Sequence, residues 1–407
     1  MWKGGFKFAD RRNLQMPLNR IKELAKLYRD EYIAIRNQIH ANPELSYKEF
    51  ATSQLIQEQL RSIGIPFQTM ATTGVVGLIE GKNPGSRIVG LRADMDALPI
   101  QEENDVPYKS KNPGVMHACG HDVHTTCLLG AAKILQQTRE EWEGTVKLVF
   151  QPGEEVNPGG ASMMIREGVL ENPRPQAMIG MHVHPGLKTG RFSFRSGMVM
   201  ASADELYITI RGKGGHAAAP QMTTDTLLVA SHIVVGLQQI ISRNNNPFNP
   251  SVLSITAING GNTTNVIPSE VKMMGTFRAM NEEWRFRAHE IIRKQVTEIA
   301  ALMGATAELF IDVGYPFVMN DETLTNTAHE LAAGYMGDDQ IEETELRMGA
   351  EDFAYYSHQV PSTFFRLGVM NREKGITSGV HTPTFNIDES AIEYGMGMMA
   401  WLGAMAK

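Results

Sequence analysis

The sequence has few cysteines, few aromatic residues and no excess of positive charge. Only Cys119 and Cys127 occur among 407 residues, which excludes a disulfide framework and indicates reduced thiols. Lys and Arg number 38 against 45 Asp and Glu, giving a net charge of −7. The dense basic stripe of a nucleic-acid-binding protein is therefore missing, and small molecules are the expected ligands.

Long apolar runs are also missing. No stretch reaches the roughly 18 apolar residues that span a bilayer, and residues 1–12 lack the apolar core of a signal peptide. We therefore expect a cytoplasmic protein with no membrane partner. Met16 is an alternative natural start, so the preceding segment is interpreted as a leader or an unstructured arm.

The first half of the chain has the pattern of an α/β domain. Apolar runs at 87–93, 145–150 and 177–183 are typical of central strands covered by helices on both faces. The pattern resumes near the C-terminus, with a strand near 363–367 and a helix at 390–405. Further amphipathic helices are predicted at about 19–40, 49–63 and 123–138.

A different pattern begins near Asp204. Leu206, Ile208 and Ile210 alternate with polar residues as in a half-buried strand. Strands are also expected at about 252–259, 271–280 and 306–313, with helices at 225–242 and 282–303. This βαββαβ order is that of a ferredoxin-like unit.

The predicted fold class is therefore α/β, with two domains. A discontinuous main domain, built on a central, mostly parallel sheet covered by helices, is expected at 16–200 and 314–407. An inserted ferredoxin-like satellite domain is expected at 201–313.

The densest chemical signal is the segment from Met116 to His124. It contains three of the 12 histidines and one of the two cysteines. Cys119 and His121 lie two residues apart on a Gly-containing turn before a helix, so both can face one cation. A helix-capping loop with buried polar groups, or a Cys–His nucleophile pair, would also explain the segment.

Other metal-type residues follow predicted strands. Glu154 and Glu155 follow the strand at 145–150, where pockets of α/β sheets lie. One carboxylate can bind a metal while its neighbour acts on a water molecule. His182 and His184 alternate in direction, and we favour His182 because it completes a strand. His381 follows the last strand.

Two acids after another strand, Asp94 and Asp96, either orient ligand histidines or cap a loop. The residues alone leave both interpretations open.

Taken together, these motifs resemble the M20 metallopeptidases, in particular their amidohydrolase branch, which contains aminoacylase-like, hippurate hydrolase and auxin-conjugate (IAA-amino acid) hydrolase enzymes. The similarity runs almost end to end. The segments that carry it are 43–46, 92–99, 117–122, 151–155, 214–218, 265–268 and 351–353.

The resemblance implies a site with two divalent metal ions. Its ligands would be Cys119, His121, Glu155, His182 and His381. A thiolate at Cys119 would bridge the two ions as a ligand rather than act as a nucleophile. Glu154 would be the general base for a metal-bridging hydroxide.

The resemblance also assigns roles to the satellite, which would serve as lid and dimerisation surface. His216, on a Gly-rich loop, would donate to the oxyanion, from its own subunit or across a homodimer. Arg278 would bind the substrate carboxylate, supported by the amide of Asn265. Without the resemblance, His216 would be interpreted as an exposed loop residue and Arg278 as a surface salt-bridge residue.

The sequence thus predicts a dinuclear metal-dependent amidohydrolase of N-acyl-L-amino acids with N-acetyl, N-benzoyl or similar acyl groups. Manganese or zinc is the expected metal, with cobalt and nickel as further candidates, because the mixed ligands select no single ion. The nearest alternative is a dipeptidase or carboxypeptidase of the same family. Alternatives of another class are a Cys119 thiol hydrolase and a non-catalytic binding protein.

Overall fold

The computed structural model describes residues 8–406 of the chain, with side chains from Met16 onward. The chain forms two compact units. Unit 1 comprises Met1–Val199, Met319–Glu345 and Asp352–Lys407, and unit 2 comprises Met200–Val318 and Leu346–Glu351. Of the segment interpreted as a leader or arm, residues 1–7 lie outside the described residues.

The helices and strands alternate through most of the chain. The helices are α1 Phe8–Ala41, α2 Phe50–Ser62, α3 His121–Gln137, α4 Gly160–Arg166, α5 Thr226–Gln239, α6 Glu282–Leu302, α7 Glu322–Met336, α8 Ala354–Ser357 and α9 Ala391–Met405. The strands are β1 Phe67–Met70, β2 Gly74–Glu80, β3 Ile88–Asp94, β4 Thr145–Gln151, β5 Ala177–Lys188, β6 Phe192–Phe194, β7 Gly197–Met200, β8 Asp204–Arg211, β9 Gly215–His216, β10 Ser251–Asn259, β11 Val266–Ile267, β12 Glu270–Ala279, β13 Thr306–Val313, β14 Val318–Asn320, β15 Ile341–Glu343 and β16 Ser362–Met370.

Unit 1 is built on an eight-stranded sheet of order β1-β2-β4-β3-β5-β16-β6-β15. Its four central strands, β4, β3, β5 and β16, are parallel to one another. Antiparallel pairs join β1 to β2, β2 to β4, and β16 to β6. The carboxyl ends of the central strands therefore lie along one edge, where α/β sheets place their sites.

The central strands form where the sequence is apolar on both faces. Every residue of β4 is buried, and so are eight of the nine residues of β16. The helices α1, α3 and α9 pack against one another, and α3 and α9 also pack against β3. Because both strand faces are covered, the strands read as continuous hydrophobic runs rather than alternating ones.

Unit 2 contains an antiparallel sheet of order β10-β12-β8-β13 with the helices α5 and α6. Along β8, buried residues alternate with more exposed ones, as expected for a sheet with one covered face. The βαββαβ order and the strand arrangement are those of a ferredoxin-like unit. The predicted fold class, α/β with an inserted ferredoxin-like unit, is confirmed.

Several elements differ from the sequence-based prediction. The first helix begins at Phe8 rather than near residue 19. The strand β5 runs to Lys188, so His182 lies inside it instead of ending it. The reason is that β16 continues to pair with β5 as far as Lys188, while β3 pairs with it only to Gly180.

One helical stretch is apolar enough to cross a membrane by length and composition alone. It spans Thr226–Asn244, with a mean hydropathy of 1.2, and comprises α5 and the turn that follows it. Val229, Ile233 and Leu237 of this stretch are buried in the core of unit 2. Packing within the unit therefore accounts for the apolar residues on the buried face of this stretch.

A buried ion pair in unit 2 provides a test of the fold. Asp204 accepts hydrogen bonds from Arg285 Nε at 2.9 Å and from His289 Nε2 at 2.7 Å. Burial opposes its charge, but the bonds to His289 and Arg285 hold the pKa of the carboxyl below its ordinary value. Its stabilising effect is therefore present at neutral pH and is lost as the pH falls through the lowered pKa.

We expect Asp204→Asn to lower the free energy of unfolding by roughly 3 kcal/mol, because it removes the fully buried carboxylate that faces the buried guanidinium of Arg285. Glu282→Gln removes the more exposed partner of Arg285, which lies 2.9 Å away, and should cost about 1 kcal/mol or less. Urea unfolding at pH 7 measures both. Equal losses of stability in the two variants would contradict the claim that the buried pair of Asp204 and Arg285 stabilises unit 2.

Candidate metal centre

A short loop before α3 carries two of the predicted ligands. Gly120 has a left-handed backbone (φ +88), and a side chain there would meet Val183 at 2.5 Å. Only glycine fits this turn. The close approach brings Cys119 and His121, on either side of it, against strand β5.

The thiol of Cys119 lies between two histidines from distant parts of the chain. Its Sγ is 3.4 Å from His182 Nε2 and 3.3 Å from His381 Nε2. The loop that carries His381 is anchored locally, because its backbone N–H donates to the carbonyl of Ala118 at 2.7 Å. Residue 381 also adopts φ +60, a conformation that a non-glycine residue holds only when its surroundings enforce it.

The two glutamates after β4 lie beside His121. Glu154 Oε2 is 4.0 Å and Glu155 Oε1 is 3.9 Å from His121 Nε2. Glu155 Oε1 also lies 3.3 Å from His381 Nε2. Glu154 instead accepts a hydrogen bond from the backbone N–H of Asp352 at 3.4 Å. The two neighbouring carboxylates therefore have different surroundings.

Asp96 connects these segments. Its Oδ1 accepts from the backbone N–H of Glu154 at 3.0 Å and is bonded to His121 Nδ1 at 3.1 Å. Its Oδ2 accepts from the backbone N–H of Glu155 at 3.1 Å and from the hydroxyl of Ser46 at 2.6 Å. One buried carboxylate thus orients an imidazole and the turn that carries both glutamates.

The donor atoms form two groups that share Cys119. One group comprises Cys119, His121 and His182, and the other comprises Cys119, Glu155 and His381; within each, the donor atoms lie within 4.8 Å of one another. Thiolate, imidazole and carboxylate are ligands of zinc and similar divalent ions. The arrangement fits two ions sharing one thiolate.

One buried atom supports this fit. His121 Nε2 is buried and makes no hydrogen bond within the described residues, while carboxylate oxygens of Asp94, Glu154 and Glu155 lie within 4.0 Å. A neutral ring bonded through Nδ1 to Asp96 would direct its Nε2 lone pair toward these anions. A cation at this position removes the repulsion.

The negative charges around the site also determine which of its groups hold protons. Burial opposes a charge on His121, yet Asp94, Cys119 and Asp96 raise its pKa well above the ordinary value. Hydrogen bonds to Cys119 and Glu155 raise the pKa of His381 to about 10. Burial, followed by the charge of Glu155, raises the pKa of the Cys119 thiol. The field that attracts these protons also attracts metal cations, which compete with them for the same atoms.

A second network holds the acids behind the site. Arg92 is fully buried on β3 and donates to Gln151 Oε1 at 2.9 Å, Asp94 Oδ2 at 2.5 Å and Asp352 Oδ1 at 2.7 Å. Gln151 Nε2 donates to both oxygens of Asp352 at 2.8 Å. No sequence pattern assigned a role to Arg92, Gln151 or Asp352, although Arg92 stands out as a charged residue inside an apolar strand.

The two acids that the sequence analysis left open differ in their contacts. Asp96 bonds directly to His121, whereas Asp94 bonds to His124 Nδ1 at 2.6 Å. The other candidate histidine, His184, accepts instead from the backbone N–H of Gly186 at 3.2 Å, while the neighbouring His182 faces Cys119.

The remaining predicted residues lie in unit 2. His216, in the short strand β9, is exposed and pairs with Val266 of β11. Asn265 is next to this pair, and its carbonyl accepts from the backbone N–H of Ala217 at 3.0 Å. Arg278 lies on β12 and is partly buried, and this desolvation lowers the pKa of its guanidinium. The structure therefore brings His216 and Asn265 together.

Asp96 makes four contacts that hold the site together, so its loss should disturb the donors. We expect Asp96→Asn to weaken divalent metal binding about 10–100-fold, because one amide cannot replace all four contacts. Ser46→Ala, which removes a single hydrogen bond to Asp96, should have a smaller effect. Competition with a chromophoric zinc chelator measures both. Unchanged affinity in a folded Asp96→Asn protein would contradict the assigned role.

Comparison with known proteins identifies the family. A model of peptidase family M20/M25/M40 matches residues 90–402. Thermostable carboxypeptidase 2 of Saccharolobus solfataricus is 39% identical over 382 residues, covering 93% of this chain and 96% of that protein. N-acetylcysteine deacetylase of Bacillus subtilis is 39% identical over 374 residues, covering 90% of this chain and 94% of that protein.

A solved structure agrees. The YxeP protein of Bacillus subtilis, described as a dinuclear metal binding peptidase from the M20 family, superposes with a TM-score of 0.80 at 36% identity, covering 93% of this chain and 98% of that one. The resemblance read from the sequence motifs is thereby confirmed. The chain belongs to peptidase family M20/M25/M40 and is a hydrolase.

Proposed function

We propose that this protein hydrolyses the amide bond of N-acyl-L-amino acids, using two divalent metal ions held by Cys119, His121, Glu155, His182 and His381. The observation that carries the proposal is the pair of donor groups sharing the Cys119 thiol. The similarity to a protein named N-acetylcysteine deacetylase supports an N-acyl amino acid as substrate.

When bound, the two ions would polarise the scissile carbonyl and lower the pKa of the attacking water. Manganese or zinc is the proposed metal. The chain's own contribution is to hold five donors in place and to keep Glu154 out of the two ligand groups that share Cys119.

Glu154 is the proposed general base. It is adjacent to a ligand in sequence, yet its Oε1 receives a hydrogen bond from the backbone N–H of Asp352, and its side chain is mostly buried. It accepts the proton of the attacking water and delivers it to the leaving nitrogen. The carboxylate of Asp352 is in turn held by Arg92 and Gln151, which keeps its backbone N–H directed at Glu154.

The family resemblance assigns the proposed substrate contacts to three residues of unit 2. A guanidinium can bind a carboxylate through two parallel hydrogen bonds, so Arg278 would select substrates with a free α-carboxylate. The amide of Asn265 would assist at the same end of the substrate, and His216 would donate to the oxyanion. We therefore expect N-acyl amino acid amides, which lack the carboxylate, to be poor substrates.

A second candidate activity has a specific observation in its favour. The similarity to thermostable carboxypeptidase 2 supports cleavage of a peptide bond next to a C-terminal carboxylate, which Arg278 would bind in the same way. Thiol catalysis by Cys119 has no such support, because burial raises the pKa of its thiol, whereas nucleophilic cysteines have lowered values.

Chelation separates these chemistries. We expect EDTA to abolish hydrolysis of N-acetyl and N-benzoyl amino acids, and manganese or zinc to restore it. Glu154→Gln should lower kcat by about 10²–10⁴-fold, the usual effect of losing a general base, while still binding metal. Glu141→Gln, an exposed carboxylate in another adjacent pair, is the matched control. Full activity after exhaustive chelation would refute the proposal.

A substrate panel decides between the two amide-hydrolysing activities. The panel compares kcat/KM for N-acetyl, N-benzoyl and indole-acetyl amino acids with kcat/KM for dipeptides and longer peptides. Higher kcat/KM for N-acyl amino acids supports the proposed function, and higher kcat/KM for peptides supports the carboxypeptidase.

We also propose that the protein is a homodimer formed through unit 2 and located in the cytoplasm. Within the described residues, β10 pairs only with β12 in its sheet, so one strand edge is open to a second copy. Val235 is 72% and Leu228 is 49% exposed on α5, apolar surface that a symmetric partner can cover.

Hybrid dimers test whether His216 acts across this interface. His216→Ala and Glu154→Gln are each expected to be inactive as homodimers. The two chains are co-expressed with different tags, and the hybrids are purified. If His216 acts on the site of the partner, one of the two sites in each hybrid is complete. The hybrid should then have about half the activity of the wild-type dimer. Purified hybrids with no activity would contradict a shared site.

A further inference from the structure

His124 is a buried histidine with no role in the proposed chemistry. It follows His121 by three residues on α3, and the two rings lie on the same side of the helix with centroids 5.4 Å apart. Donor atoms of Asp94, His121 and His124 lie within 4.8 Å of one another. By distance alone, His124 is therefore a candidate sixth metal ligand.

The hydrogen bonds of His124 exclude that role. Its Nδ1 is 2.6 Å from Asp94 Oδ1, and its Nε2 is 2.9 Å from the backbone nitrogen of Val183. A backbone N–H can only donate, so Nε2 is the acceptor and carries no proton. The ring proton therefore lies on Nδ1 and is donated to Asp94. No lone pair remains for a metal ion.

The contact with Val183 places His124 next to a proposed ligand. The carbonyl of Val183 accepts a hydrogen bond from His182 Nδ1 at 2.8 Å. His124 and His182 thus bind the N–H and the carbonyl of the same residue, and their ring centroids are 4.6 Å apart. Because His182 donates through Nδ1, its Nε2 lone pair is directed at the thiol of Cys119, 3.4 Å away.

Asp94, the other hydrogen-bond partner of His124, is itself held in place by two contacts. Asp94 ends β3, and its second carboxylate oxygen accepts from the buried guanidinium of Arg92. The hydroxyl of Thr125, the next residue on α3, donates to the carbonyl of Asp94 at 2.8 Å. The position of His124 is therefore fixed by β3, and His124 in turn fixes the backbone of β5 beside His182.

We propose that His124 is a positioning residue for His182: it holds Val183 of β5 so that His182 keeps one tautomer and one direction toward Cys119. This inference rests on the metal site of the proposed function. It predicts that His124 sets the affinity of the ion bound by Cys119, His121 and His182, and not that of the ion bound by Cys119, Glu155 and His381.

Two conservative substitutions separate the two contacts of His124. His124→Gln places a carboxamide oxygen near the former Nε2 and can still accept from Val183. His124→Asn places an N–H near the former Nδ1 and keeps only the bond to Asp94. Cys127→Ala, one turn further along α3 at another fully buried position, is the control for general loss of packing.

The measurement is a titration with cobalt. Calorimetry gives the affinity for each ion, and visible absorption reports the cobalt–thiolate bond. Wild type is expected to bind two ions. In His124→Asn the affinity for one ion should fall about 10–100-fold, as for other residues that orient a ligand, while the second affinity is unchanged. His124→Gln should largely restore the lost affinity, and Cys127→Ala should retain both.

Two results would overturn the inference. One is wild-type affinity for both ions in His124→Asn, and the other is a loss in His124→Gln as large as in His124→Asn. If neither variant folds, long-range ¹H–¹⁵N spectra of wild-type histidines decide the question, because a proton on Nε2 of His124 contradicts it. A wild-type protein that binds no ions would instead refute the proposed function.

Discussion

The site depends on holding several acidic groups and a thiol close together in a largely buried place. Asp94, Asp96, Glu154 and Cys119 are all less than one-tenth exposed, and their mutual repulsion is strong where water is excluded. Buried charges persist only when cations or hydrogen-bond donors face them. Arg92 and the histidines provide part of that compensation, and divalent ions would provide the rest.

The hydrogen bonds around the donors show how the fold achieves this. Asp96 joins three separate segments through His121, Ser46 and the backbone at 154–155. Arg92 joins the ends of β3 and β4 to Asp352. His121 and the turn that carries Glu154 and Glu155 are therefore oriented by a residue from another part of the chain, so the geometry of the site depends on packing between distant segments of unit 1.

Much of unit 1 was predictable because its signals are local. Continuous apolar runs marked β3, β4 and β16, and the Cys–His segment marked the loop before α3. The extension of β5 beyond His182 was not predictable, because pairing with β16 decides it and that strand is about 180 residues later in the chain. Periodicity likewise gave no sign of β1 and β2, the two strands at one edge of the sheet.

The orienting residues were harder to predict than the donors. Cysteine, histidine and adjacent glutamates after strands are recognisable by residue type. Gln151, Asp352 and His124 act through contacts between distant segments. They lie in or beside conspicuous motifs, but those motifs do not show which residues the three side chains contact. The roles of His216, Asn265 and Arg278, in a unit with its own core, stay predictions that rest on the family resemblance.

The most direct test of the account is an anomalous-difference map from crystals soaked with manganese or zinc. The account predicts two peaks per chain about 3.5–4 Å apart, the usual spacing of paired catalytic ions, with Cys119 Sγ within bonding distance of both. Crystals that contain the metal but show no peak among Cys119, His121, Glu155, His182 and His381 would contradict it.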